Sequence, residues 1–561
     1  MMLRVFYTCV VVLCFMPIIP GILGVISTAL AYLPALNMTQ ISSIGLREML
    51  AWNGISHAIG LTLFTTLASS AIACLVSFAV LQGCWHHRYW QKIERTLAPL
   101  LALPHVAFAI GFAFLFSSTG LIARLSHSFS IADISQTSDT LPLLIKDPFG
   151  IGLLMMLVMK EVPFLLLMSI PILQQLNLPQ TEKVCASLGY TPTQTWWKCV
   201  LPQWLRQMRF PLFAVIAYSV SVVDVALILG PTHPPTFAVL VWQWFNDPDL
   251  SQLPRAATGA FVLLLLALGC MGVARLIEAL CLQQQRDWQS SGRYAILLPG
   301  KTLFALILII SAAVIPILLI WSVALRWRFP TLLPSQTTLR FWLETWPQIS
   351  DTLITSVTIA LISATAALCL ALVTHEYHTR YRVMVPNWMI ALPMLIPQLS
   401  ILFGLQIMTL SLNSHAYFFW VCWAHLFFAY PYVYLALDGP WRSFNQNYMH
   451  VALSLGKSYG YAWWRIKLPQ LRSAVLFAWA VGISVSLAQY LPTLILGAGR
   501  ITTLTTEAVA LSSGFDRRIT AIYALCQALL PLIFFALTII ISQQVYRRRT
   551  TLATYAKKEA S

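Results

Sequence analysis

The chain alternates long apolar runs with short polar stretches. A helix needs about 20 mostly apolar residues to cross the hydrocarbon core of a bilayer. Twelve runs reach that length. Six lie near 5–31, 55–82, 97–117, 149–173, 209–230 and 256–282. Six more lie near 301–325, 351–374, 387–411, 416–438, 473–496 and 518–545. The pattern predicts an all-α integral membrane protein of about 12 transmembrane helices. The first run, 6–32, follows a basic start at Arg4. It is longer than a secretion signal and no small-residue cleavage motif follows it cleanly, so it is expected to be a retained helix.

Composition sharpens this picture. Of 561 residues, 58% are hydrophobic and 10% are charged, with mean hydropathy +0.74. A soluble domain averages about 45–50% apolar and about 25% charged residues. This much apolar surface exceeds what one aqueous core hides, so lipid is the expected solvent. The formal charge of +16 does not gather on one face or tail, which argues against nucleic acid as a partner. Basic residues sit between the runs instead, as the positive-inside rule requires. With the N-terminus inside, inner segments hold about 24 of the 35 Lys and Arg and outer segments about 10. Both termini are therefore expected in the cytoplasm. The 11 cysteines form no Cys-x-x-Cys and none falls in a segment assigned outside, so no disulfide framework or zinc site is suggested.

The sequence also repeats itself. Residues 187–203 read SLGYTPTQTWWKCVLPQ and residues 454–470 read SLGKSYGYAWWRIKLPQ, at a constant offset of 267. The shared residues include Gly189/Gly456, Trp196/Trp463, Trp197/Trp464, Leu201/Leu468 and Pro202/Pro469. Downstream, LILG at 227–230 falls on LILG at 494–497 in the same register. Upstream, Ala102-Leu103-Pro104 resembles Ala391-Leu392-Pro393, each opening the third run of its half. Six runs separate the two loops, so both belong on one side of the membrane.

Each repeated loop has a legible local form. Gly189 suits a helix C-cap at positive φ. Thr191 fits an N-cap, Pro192 the first turn and Gln194 the capping-box partner. A short helix then carries Trp196 and Trp197, and Pro202 ends it or begins the next. The second copy repeats the scheme, with Ser458 as cap but Tyr461 where an acid or amide partner would sit. The expected product is a pair of stiff knobs on one face.

These loops resemble the coupling motif of ABC importer permeases, written Glu-Ala-Ala, then Gly, then Ile-x-Leu-Pro. Gly189 is followed by nine residues and then Cys199-Val200-Leu201-Pro202. Gly456 is followed by nine and then Ile466-Lys467-Leu468-Pro469. The front of the motif departs from the family, with Lys183-Val184-Cys185 and His450-Val451-Ala452 at Glu-Ala-Ala. The GAGRITTL segment at 497–504 is similar to a Gly-Gly-x-x-Thr-Leu-like segment of the same group.

The resemblance implies two tandem type I importer permease domains in one chain, as in the iron(III) and thiamine importers. It places a transmembrane helix and periplasmic segment at 1–54 and permease domains at 55–282 and 350–545. A linker with an extra helix falls at 283–349, and a basic cytoplasmic tail at 546–561. It also implies two copies of a separate ABC ATPase subunit, a periplasmic substrate-binding protein and a bacterial inner membrane. Under it, Gly189, Trp196, Trp197, Leu201, Pro202, Gly456, Trp463, Trp464, Leu468 and Pro469 form the ATPase-coupling loops.

No catalytic or cofactor site is expected in the chain, and ATP with Mg would be used by the partner. The Gly300-Lys301-Thr302 triplet lacks the earlier glycine of a phosphate loop, since position 295 is alanine. The His86-His87 and His375/His378 pairs lack Cys or acid partners at ligand spacing and read as solvated loop histidines. Polar and ionisable groups inside runs are costly and point to function. Lys160, Glu161, Asp224 and Gln489 are therefore candidates for a translocation pathway. Two rival classes remain at this level: an ion-gradient-driven secondary transporter with repeated halves, and a membrane scaffold.

Overall fold

The computed structural model describes residues 2–559, apart from 16, 37, 86–87, 89, 130–143, 291–293, 383–384, 412–414 and 515. The His86-His87 pair thus lies outside the described residues. The protein is an all-α integral membrane protein. Among the described residues, ten helices are long and apolar enough to span a bilayer. The other two expected runs are broken.

Run 387–411 folds as two helices bent by 99°. Pro397 has no backbone N–H and pushes Ile396 to an extended conformation, φ −98° and ψ 133°. Run 209–230 folds as Arg209–Ser221 and Asp224–Leu229, with extended Val222 between them. The polar residues from Gln283 to Ser290 continue helix Leu253–Ser290.

The element order repeats. In the first half, Ile55–Cys84, His105–Phe116, Ile151–Gln175 and Arg209–Ser221 lead to Leu253–Ser290. In the second, Arg340–Tyr381, Gln398–Ser411, Tyr417–Arg442 and Leu468–Ala488 lead to Arg517–Glu559. The third run of each half restarts after a proline, Pro104 in one and Pro397 in the other. The structural partner of Pro104 is therefore Pro397. Pro393, its match by local sequence, lies inside the preceding helix Asn387–Leu395.

One extra helix leads each half, and each reaches across. Ile18–Ala29 packs on Leu253–Ser290 of its own half and on Gln398–Ser411 of the other. Gly300–Val323 packs on Arg517–Glu559 of its own half and on His105–Phe116 of the other. The first crossing is close enough to need glycine on both sides. A Cβ on Gly404 would stand 1.7 Å from the Gly21 carbonyl oxygen, and one on Gly24 would stand 2.7 Å from that of Gly404.

The path of the chain fixes both knobs at one end. Gly300 lies against Ala79 and Val80, beside the first knob. From there Gly300–Val323 crosses the bundle to a small antiparallel pairing, Ala324–Arg326 with Gln336–Thr337. Arg340–Tyr381 then crosses back and ends at the second knob.

Candidate functional site

Each knob begins where a helix ends on a glycine. Gly189 has φ +79° and Gly456 has φ +73°, in the left-handed region where a Cβ is strained. The turn closes in the same way in both copies. The Tyr190 N–H donates to the Cys185 carbonyl at 3.0 Å, and the Lys457 N–H to the Ala452 carbonyl at 3.1 Å. In the first copy Thr191 and Gln194 form the full capping box. In the second, Ser458 accepts from the Tyr461 N–H alone. Both short helices then widen into one π-helical turn, Trp196–Val200 and Trp463–Lys467. The following prolines, Pro202 and Pro469, enter the first turn of the next helix, where their missing N–H costs nothing.

The tryptophans do not form one outward surface. Trp196 is buried at 2% exposure, Trp197 and Trp463 are half-buried, and only Trp464 is largely exposed. Leu201, Leu468 and Pro469 are half-buried and Pro202 is buried, so they seat the knobs on the bundle. One exposed apolar pair recurs in both knobs: in the first it is Val184 and Leu188, 55% and 65% exposed. In the second, Val451 and Leu455 are exposed by 57% and 72%, alongside Tyr448, Leu453, Tyr461 and Trp464. These pairs are equivalent under the repeat and lie one helical turn apart on the helix before each glycine. Both valines occupy the middle position of the motif's Glu-Ala-Ala.

The two knobs are anchored by different chemistry. Trp196, Trp197 and Trp204 of the first surround Phe78, with ring centroids 5.2–6.2 Å away. The segment just before Gly300–Val323 straps this knob. Trp197 Nε1 donates to the Ile296 carbonyl at 2.7 Å, as does Gln82 Nε2 at 3.2 Å, and the Leu298 N–H donates to Gln82 Oε1 at 3.0 Å. The thiols of Cys185 and Cys199 are 3.2 Å apart in the same knob. Burial, then the hydrogen bond to Cys185, pushes the Cys199 thiol up to about 12.

The second knob closes on a carboxylate. Glu376 accepts from Lys467 Nζ at 2.7 Å, from Trp463 Nε1 at 3.1 Å and from the Tyr459 hydroxyl. The Lys467 side chain is wholly buried and Glu376 nearly so, and Lys467 also lies 4.3 Å from the Trp441 ring centroid. Sequence reasoning missed Glu376 because it sits 83 to 91 residues from its partners. Beside it, His375 is not a solvated loop histidine. It lies within helix Arg340–Tyr381, 2% exposed, stacked on Tyr434 at 4.1 Å, with Nε2 3.0 Å from the Tyr434 carbonyl oxygen.

Deep in the bundle a polar cluster joins the two halves. Lys160 turns to a helix end: Nζ donates to the carbonyls of Leu100 at 2.9 Å and Leu103 at 2.6 Å. Pro104 has no N–H to offer the Leu100 carbonyl, and the ammonium takes that place at a helix C-terminus. Glu161 points elsewhere, 6% exposed, with Lys160 as its charged neighbour. Tyr218 lies near both Glu161 and Asp224, Tyr432 near Glu161, and Tyr490 near Asp224. Asp224 opens the short helix after the first-half break, and Gln489, 7% exposed, lies at the matching break of the second half. His425 bridges that second break. Its Nδ1 is 2.8 Å from Ser486 Oγ and its Nε2 is 2.8 Å from Thr493 Oγ1.

A multi-pass bundle with two like knobs at one end and a polar cluster between like halves is the form of a transport permease. The chain belongs to the inner-membrane ABC transporter permeases. It is similar to the inner membrane ABC transporter permease protein YnjC of Escherichia coli (strain K12), with 34% identity over 541 residues, 94% of each chain. No family model matches the chain. A permease is the non-enzymatic, membrane-embedded component of an ABC transporter, and it works in a lipid bilayer with ATPase subunits.

Proposed function

We propose that the chain is the translocation pathway of an ATP-driven importer, built as two fused permease copies, with both knobs and both termini in the cytoplasm. One ATPase subunit docks on each knob and hydrolyses ATP with Mg, while this chain binds no cofactor. A periplasmic binding protein delivers substrate at the opposite end. The fused form agrees with the resemblance to the iron(III) and thiamine importers. ATP-driven closure of the ATPase pair draws the knobs together, and the bundle rocks between inward and outward openings.

One observation carries the docking claim: the exposed pairs Val184/Leu188 and Val451/Leu455 recur at equivalent places on two knobs of one face. Apolar surface held in water at matched sites marks a partner interface. The test is a pull-down of the detergent-solubilised chain, with mass spectrometry and an ATPase assay on the eluate. An ABC ATPase at two copies per chain is expected, and Leu188→Asp plus Leu455→Asp should lose it. An ATPase that stays bound to this double variant would sink the docking surface. A partner-free chain that transports under an ion gradient alone would sink the importer reading.

Glu161, Asp224 and Gln489, with Tyr218, Tyr432 and Tyr490, are proposed to line the pathway, while Lys160 holds the Pro104 break behind them. Glu161→Gln and Asp224→Asn should lower uptake in proteoliposomes by tenfold or about that, with the ATPase still bound. Wild-type uptake by both variants would remove these residues from the pathway.

A further inference from the structure

The two knobs carry the same backbone form on different anchors, and the difference falls on one residue. Tyr459, Trp463 and Lys467 are spaced by four, so all three face inward from one side of the second knob. Their three donors converge on the single carboxylate of Glu376. The equivalent first-knob residues are Pro192, Trp196 and Val200, which offer one donor in place of three. There Trp196 packs on Phe78 with the neighbouring tryptophans, and Trp197 donates to the Ile296 carbonyl.

Glu376 belongs to Arg340–Tyr381, a helix of 42 residues. That helix packs along Tyr417–Arg442 and Leu468–Ala488, which carry the polar groups around the second-half break. Charge-assisted hydrogen bonds shielded from water are strong and directional, whereas apolar ring contacts can slide. Arg380 stacks over the Tyr459 ring at 4.8 Å and Lys467 over Trp441, so the ionic group is also walled by aromatics.

We infer that Glu376 is a positioning residue that locks the second knob to the Arg340–Tyr381 helix and transmits nucleotide-driven movement into the bundle on that side. This rests on the proposed coupling role of the knobs. The lock stands in the membrane helix and not in the motif, whose Glu-Ala-Ala glutamate is absent from both copies.

Two measurements test it. The first is peptide-resolved hydrogen exchange on the full chain alone. Glu376→Gln should speed exchange at 459–467 by about tenfold and leave 192–200 unchanged, with Glu376→Asp in between. The second is the ratio of transport-stimulated to basal ATPase activity in the chain–ATPase complex, per ATPase bound. Glu376→Gln should lower that ratio by about fivefold or more, and Glu376→Asp should restore part of it. Tyr459→Phe keeps the ion pair and serves if Glu376→Gln fails to fold; it should show a smaller loss in both readouts.

Equal loosening of both knobs would overturn the selective lock. Selective loosening with a wild-type ratio would overturn transmission, because a purely structural residue behaves so. A wild-type chain that holds no ATPase would overturn the coupling role itself, a failure distinct from that of the lock, which the exchange data report independently.

Discussion

Side chains of one type divide sharply between roles here. Trp196 is sealed against Phe78, whereas Leu188 and Leu455 stand in water. Trp196→Ala should therefore destabilise the fold by about 3–5 kcal/mol, as buried tryptophans do. Leu188→Asp should leave stability within about 0.5 kcal/mol. Thermal melts of the detergent-purified variants separate the two. Chemistry at Cys199 is likewise set by surroundings. With its thiol raised to about 12, little thiolate exists near neutrality. Peptide-resolved alkylation at pH 7.5 should find Cys199 slower than an ordinary exposed cysteine by two orders of magnitude or about that, and the rate should climb with pH beyond 9. Fast modification at pH 7.5 would show that the thiol pair is not closed.

At the scale of elements, the decisive contacts are between helices far apart in sequence. Lipid tails are as apolar as leucine, so helices in a bilayer gain by close approach rather than by escape from solvent. Gly21, Gly24 and Gly404 permit that approach between the first lead helix and the second half. Gly404→Leu should separate the pair and lower the yield of folded chain, seen as a loss of the monodisperse peak in size-exclusion chromatography. Gly60→Ala is the control, since a Cβ there meets nothing within 4 Å. Helix breaks follow the same logic. The freed carbonyls at Pro104 are satisfied by Lys160, and the break at Gln489–Tyr490 is spanned by His425. A bilayer supplies no water to those groups, so partners must come from neighbouring helices.

For the whole molecule, two lead helices each clasp the opposite half, so the halves are joined by packing as well as by the linker. The knobs then sit at one end and the small pairing at Ala324–Arg326 at the other. Single cysteines placed at Leu188 and Leu455 in a cysteine-free background should react with an impermeant maleimide only from the cytoplasmic side, and one at Leu333 only from outside. Labelling of Leu188 and Leu455 from opposite sides would contradict the common face.

Much of this was written in the chain itself. Apolar run length locates spans because the bilayer demands about 20 residues whatever the neighbours. The 267-residue repeat, with Gly189 and Gly456 at its turns, specified the knobs because caps and positive φ are local requirements. Tertiary structure alone decided the rest. It set which runs break, which proline matches Pro104, and which side of each knob stays in water. It also moved His375 from an expected loop to a buried stack, and gave Glu376 three donors from a segment more than 80 residues on. These depend on distant groups that fill space and satisfy hydrogen bonds together, and no spacing along the chain records that.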